Sequence, residues 1–249
     1  MRKSLIPALA SFAALALACG GGDVADPSTA PSTAAPAADG TPAAAAVSGE
    51  SFGKWSSPDD DMSKALKARG WDVDFCEKYS EGDVYHSCAA SKGSLWAELE
   101  VIDHESLEDA KWEAEDEETV ARDGKRTLEI SIYDASAAQT LGELVLPKGG
   151  KIHELSTSAA EKAVTGKGWS VMESSTSKDD GYIYGEIMAI KGSNLLFMDW
   201  ELPSGAKGGR DERGTEEGVF YVSQGDESYF SVGLYDTTQA KSLLKELGG

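Results

Sequence analysis

The sequence predicts an α+β protein built of two tandem repeats, each an antiparallel sheet with helices packed on one face. Two observations predict it. Landmarks recur in the same order along the chain: the run from Met62 to Val73 is answered by the run from Ala160 to Val171, with Gly70-Trp71 matching Gly168-Trp169. Lys92-Gly93-Ser94 then returns as Lys191-Gly192-Ser193, and Tyr133-Asp134 as Tyr235-Asp236. Within each copy the hydrophobic period also switches between helix and strand values, giving a short strand, a helix, four or five antiparallel strands and a last helix. The copies are placed at residues 50–147 and 148–249, after a signal peptide (1–18) and a tether that begins with a lipidated cysteine (19–49).

The leader opens with Arg2 and Lys3 and continues in an apolar run from Leu5 to Leu17 that is too short to span a bilayer. Small residues then lead to Cys19. The stretch Leu15-Ala16-Leu17-Ala18-Cys19 resembles the bacterial lipobox, with Ala16 where that motif most often has leucine. The resemblance covers the leader only. It implies cleavage before Cys19, a lipid on that cysteine and anchorage in the bacterial cell envelope. Gly20, in place of a retention aspartate, implies the outer membrane. Residues 20–48 are Gly, Ala, Pro, Ser and Thr apart from Val24 and Val47, and only Asp23, Asp26 and Asp39 are charged. Such a segment cannot bury enough surface to offset its ordering entropy and reads as a disordered tether.

In the first copy, residues 50–55 read as a short leading strand. Ser57-Pro58-Asp59-Asp60 starts a helix with a capping serine, a first-position proline and acids in the first turn; Met62, Ala65 and Leu66 share its apolar face and Gly70 ends it. Residues 73–79 and 84–91 read as a hairpin around Gly82. Cys76 and Cys88 are equidistant from that apex, so they face each other across the strands and form a disulfide, which an oxidising envelope permits. Leu95 to Ile102 alternates, with Leu95, Ala97, Leu99 and Val101 on one face and Trp96, Glu98, Glu100 and Ile102 on the other. Ser106-x-x-Asp109 caps a short helix, Asp123-Gly124 turns a second hairpin with Leu128, Ile130 and Ile132 inward, and Asp134 caps a helix carrying Ala138 and Leu141. Pro147 and Gly149-Gly150 mark the joint.

The second copy repeats this plan. Residues 151–155 read as its leading strand, Ser158-x-x-Glu161 as a capping box, and Lys178 to Gly181 as the turn of its long hairpin. Ser174 and Ile187 stand where the first copy has its cysteines. Residues 195–202 form a strand apolar on both sides, residues 206–217 a Gly-rich charged loop, and residues 218–223 and 229–235 a hairpin. Asp236 caps a last helix with Ala240, Leu243, Leu244 and Leu247 inward.

The net charge of −20 repels nucleic acid, and no basic stripe offsets it. No nucleophile elbow, phosphate loop, zinc-protease helix or dinucleotide fingerprint is present, so no catalytic residue, metal ligand or cofactor is expected. His86, His104 and His153 sit in separate elements without ligand spacing. Asp59-Asp60-Asp61 and Asp179-Asp180 offer oxygens to calcium, but a capping turn and a hairpin turn explain them. Lys148-Gly149-Gly150-Lys151 and Lys207-Gly208-Gly209-Arg210 suit phosphate, yet lack a strand-to-helix setting and read as a linker and a loop. Residues 113–118 read as a solvated acidic face. The expectation is a non-enzymatic, membrane-anchored envelope lipoprotein that binds an envelope protein or small-molecule ligand through the groove between copies and the 206–217 loop. The alternative is an envelope hydrolase with an unrecognised carboxylate site, and a third reading is a calcium-stabilised surface protein.

Overall fold

Among the described residues eleven strands pair into one antiparallel sheet, which overturns the expected pair of separate repeats. The structure, a computed structural model, describes residues 51–115, 119–225 and 227–248. The expected signal peptide, Cys19 and the expected tether lie outside them, as does part of the 113–118 acidic run.

In chain order the elements are α1 (Pro58–Ala68), β1 (Asp72–Glu81), β2 (Asp83–Lys92), β3 (Leu95–Asp103), α2 (Leu107–Glu113), β4 (Val120–Asp123), β5 (Arg126–Asp134) and α3 (Ala135–Val145). Then come α4 (Thr157–Thr165), β6 (Ser170–Asp179), β7 (Tyr182–Lys191), β8 (Asn194–Pro203), β9 (Asp211–Glu216), β10 (Val219–Gln224), β11 (Tyr229–Tyr235) and α5 (Thr237–Gly248). The main path of the sheet runs β1-β2-β3-β5-β11-β8-β7-β6, with β4 on β5 and the β9-β10 pair on β11. The two halves meet at the pair Tyr133↔Tyr235, reinforced by the Asp236 N–H donating to the Ile132 carbonyl at 2.7 Å.

Two apolar clusters lie under the sheet, and each is closed by a helix from the other half. Ala138 and Leu141 of α3 pack with Ile187, Met198, Phe220 and Val232. Ala240, Leu243 and Leu247 of α5 pack with Met62, Leu66, Leu99 and Ile130. Recurring landmarks report local likeness; they do not say which core receives a helix's apolar face. Here the faces cross over, so neither half completes its own core. At the tightest point of α3, a Cβ on Gly142 would stand 2.2 Å from the Phe220 ring.

Other expectations need correction. Both leading strands are single 3₁₀ turns, Phe52–Lys54 and Ile152–Glu154. Their apolar residues, Phe52 and Trp55, then Ile152 and Leu155, are spaced by three, which one such turn places on one side. The cap of α4 is Ser156, which accepts from the Ala159 N–H; Glu161 is engaged by the Ser174 hydroxyl of β6 and does not reach back. Ser57 makes no side-chain cap, but its N–H donates to Asp61 at 3.1 Å. Half of the 206–217 loop is strand β9. The joint at Pro147 is no free linker: Arg213 donates to the carbonyls of Leu146 and Pro147, and Gln224 to that of Gly150.

Candidate functional site

The acidity of the chain collects on the sheet face turned away from α1, α3, α4 and α5. Strand alternation decides this. Cys88 lies in the helix-covered core, so its partner Cys76 faces the same way, and Phe75, Glu77 and Tyr79 face the other. Register carries that face across the sheet: Tyr79↔Tyr85, Glu77↔Ser87, Ser87↔Glu100, Ala89↔Glu98, Glu100↔Glu129 and Trp96↔Tyr133. Four carboxylates, Glu77, Glu98, Glu100 and Glu129, thus share a surface with five aromatic rings, Phe75, Tyr79, Tyr85, Trp96 and Tyr133. At the other end of the sheet Glu173, Glu186, Asp199 and Glu201 occupy the same face beside Tyr184, Phe197 and Tyr229.

Along the main path, register places no lysine or arginine on this face. Lys78 and Lys178 fall on the helix side, opposite His86 and Ile183. Arg122 of β4 stands at the margin, opposite Thr127, and donates to the Gly124 carbonyl.

The centre of the face is ordered by hydrogen bonds and ring contacts. The Tyr79 hydroxyl donates to Glu100 at 2.7 Å, and its ring stacks on Tyr85 with centroids 4.8 Å apart. The Ser87 hydroxyl donates to Glu98 at 3.4 Å. Trp96 tilts against Tyr133 at 5.9 Å. Withdrawal from water pushes the Glu98 carboxyl up, and the neighbouring Glu100 charge adds to it. Glu100 is raised chiefly by the same withdrawal, against the Tyr79 hydrogen bond that lowers it. Burial pushes the Tyr133 hydroxyl up to about 12, with Glu98 contributing, and Tyr79 is raised for like reasons. Asp199 is also held up by loss of water around its carboxylate, although part of the residue stays exposed; the Ser231 hydroxyl donates to it and acts the other way.

The turn Glu217-Gly218 folds onto this face at the seam. Gly218 has φ +79, and a Cβ there would lie 2.5 Å from the Tyr133 Cβ and 3.1 Å from that of Trp96, so the close approach requires glycine. Glu217 adds to the negative charge around Glu98. Beside the turn is an open cleft of about 310 Å³, walled by Ser94, Trp96, Gln139, Thr215 and Glu217. A second cleft of about 300 Å³ lies where Gly150 and Lys151 meet Lys207, Gly208 and Gly209. The 206–217 segment, singled out in the sequence, therefore contributes to both clefts.

The sequence-derived residues fall as follows. Cys76 and Cys88 form the disulfide, directly opposed with Cα atoms 4.1 Å apart. Ser174 and Ile187 occupy the equivalent opposed pair at the other end. His86 is buried and bonded to Asp59 at 2.8 Å; His104 is buried between Asp83 and Thr127, both at 2.9 Å. Asp59 and Asp61 are thus engaged in holding α1, and Asp179 pairs with Tyr182 at a hairpin turn. Among the described residues no group of three or more His, Cys, Asp or Glu side chains is arranged to hold a metal ion. No helix among them is long and apolar enough to cross a membrane.

The shared acidic face was not foreseen. The alternation of Trp96, Glu98, Glu100 and Ile102 showed one strand of it, but strand neighbours are not a local property. Comparison with known protein families, curated proteins and solved structures gave no match.

Proposed function

We propose that this protein is a lipid-anchored, non-enzymatic binding module of the bacterial envelope, and that its acidic and aromatic face captures a lysine- or arginine-rich segment of a partner protein. The observation that carries this reading is the register: carboxylates and rings are gathered on one face from which the main path excludes every basic side chain. A cation docked there meets carboxylates already short of water, where Coulomb attraction is less screened than at an ordinary surface. Flanking rings accept the same cation over their faces. The lipobox resemblance and the tether support presentation of the face away from a membrane through Cys19.

The test is titration of the full-length protein, held in neutral detergent, with an oligolysine peptide and with an oligoglutamate control. Saturable, salt-weakened binding of oligolysine alone is expected, reduced at least tenfold in Glu98→Gln/Glu100→Gln. Because cation binding favours the ionised carboxylates, affinity falls as pH drops through their raised titration range. Equal binding by wild type and the double variant would remove the face from the proposal.

A further inference from the structure

Two stretches that the sequence offered as phosphate-friendly, and that the acidic face leaves unused, come together in space. Residues 148–151 follow α3, and residues 207–210 precede β9; the fold brings Gly150 and Lys151 against Lys207, Gly208 and Gly209 around the cleft of about 300 Å³. That volume sits at the low end of small-molecule pockets, ~300–1,000 Å³. The wall is fastened by Gln224, which is 5 % exposed: its Oε1 accepts from the Ile152 N–H at 2.9 Å and its Nε2 donates to the Gly150 carbonyl at 2.6 Å. The Gly225 N–H closes the other side on the Arg210 carbonyl.

Charge here runs against the rest of the molecule. Lys148, Lys151, Lys207, Arg210 and Arg213 stand on these two stretches and the strand that follows, against the carboxylates of Glu154, Asp211, Glu212 and Glu216. Asp211 lines the cleft, but both its oxygens lie 3.0 Å from the Arg213 Nε. Lys151 to Glu154 and Arg210 to Glu212 are loose contacts at 3.9 and 3.8 Å between exposed groups. Lys207 has no ion-pair partner among the described residues. The N–H groups of Lys151, Gly208 and Gly209 donate to no acceptor among them either. The buried Nδ1 of His153 is likewise without a partner there, and its ring lies against Gly208, 3.5 Å from where a Cβ would be. Lys151, Gly208 and Gly209 are exposed, so their N–H groups stand open to a ligand, whereas a buried imidazole nitrogen without a partner is uncommon in a finished fold. The glycines themselves prove nothing, since Gly209 packs so tightly on Gly225 that a Cβ would stand 2.5 Å from its nitrogen.

We propose that this cleft binds a phosphate group, with Lys151 and Lys207 as its charged arms and the Gly208–Gly209 backbone as its hydrogen-bonding floor. Surrounding acids are screened beyond a Debye length of about 8 Å at physiological salt, so the local cations govern a small anion. The phosphate could be that of a soluble molecule or of a phospholipid headgroup, and the two are separable. Full-length protein in neutral detergent is titrated with inorganic phosphate and, in parallel, with short-chain phosphatidylglycerol against short-chain phosphatidylcholine, followed by phosphorus NMR and amide shifts. The expected result is saturable binding to at least one phosphate source, weakened at least tenfold in Lys151→Gln/Lys207→Gln, whose melting temperature stays at the wild-type value. Lys64→Gln/Lys67→Gln on α1 serves as a charge-matched control that leaves binding unchanged. Response to inorganic phosphate assigns a soluble ligand; response to phosphatidylglycerol alone assigns a headgroup. Silence with both, or binding that the double variant retains, overturns the site.

Discussion

The hairpins at the two ends of the sheet have the same build and different fastenings. Each has strands of ten residues, and each carries a bulge near its start, between Val73 and Phe75 or between Val171 and Glu173. At the matching opposed pair, β1-β2 has Cys76 and Cys88, whereas β6-β7 has Ser174 and Ile187. The first hairpin has small residues at its centre, Cys88, Ala89 and Ala90, and is joined covalently. The second buries the larger Ile187 and lets the Ser174 hydroxyl reach Glu161 of α4. One end is held by a cross-link where apolar volume is scarce, and the other by apolar volume where the cross-link is missing.

The comparison extends to the cores, and the largest predicted effect breaks the idea that each half stands alone. Leu247→Ala in α5 removes a side chain that is 4 % exposed, at a cost of about 2–5 kcal/mol. Its destabilisation appears in the opposite half by sequence: hydrogen exchange accelerates first in β3 and β5, which share its cluster, and only later in β7 and β8. Loss of protection confined to β8 and β11 would contradict the crossed helices.

The next effect separates the end hairpins. Cys76→Ser/Cys88→Ser opens a loop with sequence separation 12. The chain-entropy model puts the loss at about 2–3 kcal/mol. Urea titration reads it, and dithiothreitol on the wild type produces the same shift. Exchange protection in β6-β7 stays as it was, since nothing in that hairpin depends on the bond.

These two cases mark what the sequence could disclose. Equal spacing of Cys76 and Cys88 from Gly82 contains the hairpin register in full, because a tight turn makes register local. Matching of the recurring landmarks put Ser174 and Ile187 at the positions of the two cysteines, and the register pairs them. Crossing of α3 and α5 leaves no trace in either helix: Leu141 and Leu243 are equally apolar whichever core receives them. Continuity of the sheet hangs on the pair Tyr133↔Tyr235, and strand β9, with residues 211–216 nearly all polar, has no alternation to betray it. The acidic face and the lysine cleft depend on such distant neighbours, so their residues were visible singly and their grouping was not.

A smaller effect distinguishes the acids of the face from ordinary surface acids. Glu98 has a raised carboxyl, so between the unfolded titration point and the folded one the native state holds more protons than the unfolded chain. Stability is therefore lost as pH rises through that window, and at neutral pH the ionised Glu98 destabilises. Glu98→Gln is expected to raise the melting temperature at pH 7 and to lose that advantage toward pH 4, where wild-type Glu98 is protonated. Melting curves across this range check the sign. A variant less stable than wild type at pH 7 would show that the Ser87 hydrogen bond outweighs the loss of water.

The smallest net effect comes from moving the staple to the other end. Ser174→Cys/Ile187→Cys places two thiols at the register that closes the bond in β1-β2. A disulfide there gains about 2–3 kcal/mol by the chain-entropy model. Against this, the change truncates the fully buried Ile187, which costs about 1–3 kcal/mol for the missing volume, and removes the Ser174 hydrogen bond to Glu161, worth about 1 kcal/mol. The terms nearly cancel, so oxidised variant and wild type should unfold within about 1 kcal/mol of each other, while the reduced variant is clearly weaker. Thiol titration reports whether the bond forms. Free thiols under oxidising conditions would mean that the two hairpins do not share a register; a bond that forms and stabilises strongly would mean that Ile187 contributes less packing than its burial implies. In either hairpin the fastening then follows from one opposed pair: a cross-link between thiols, or a buried branched side chain, does the same work on the same frame.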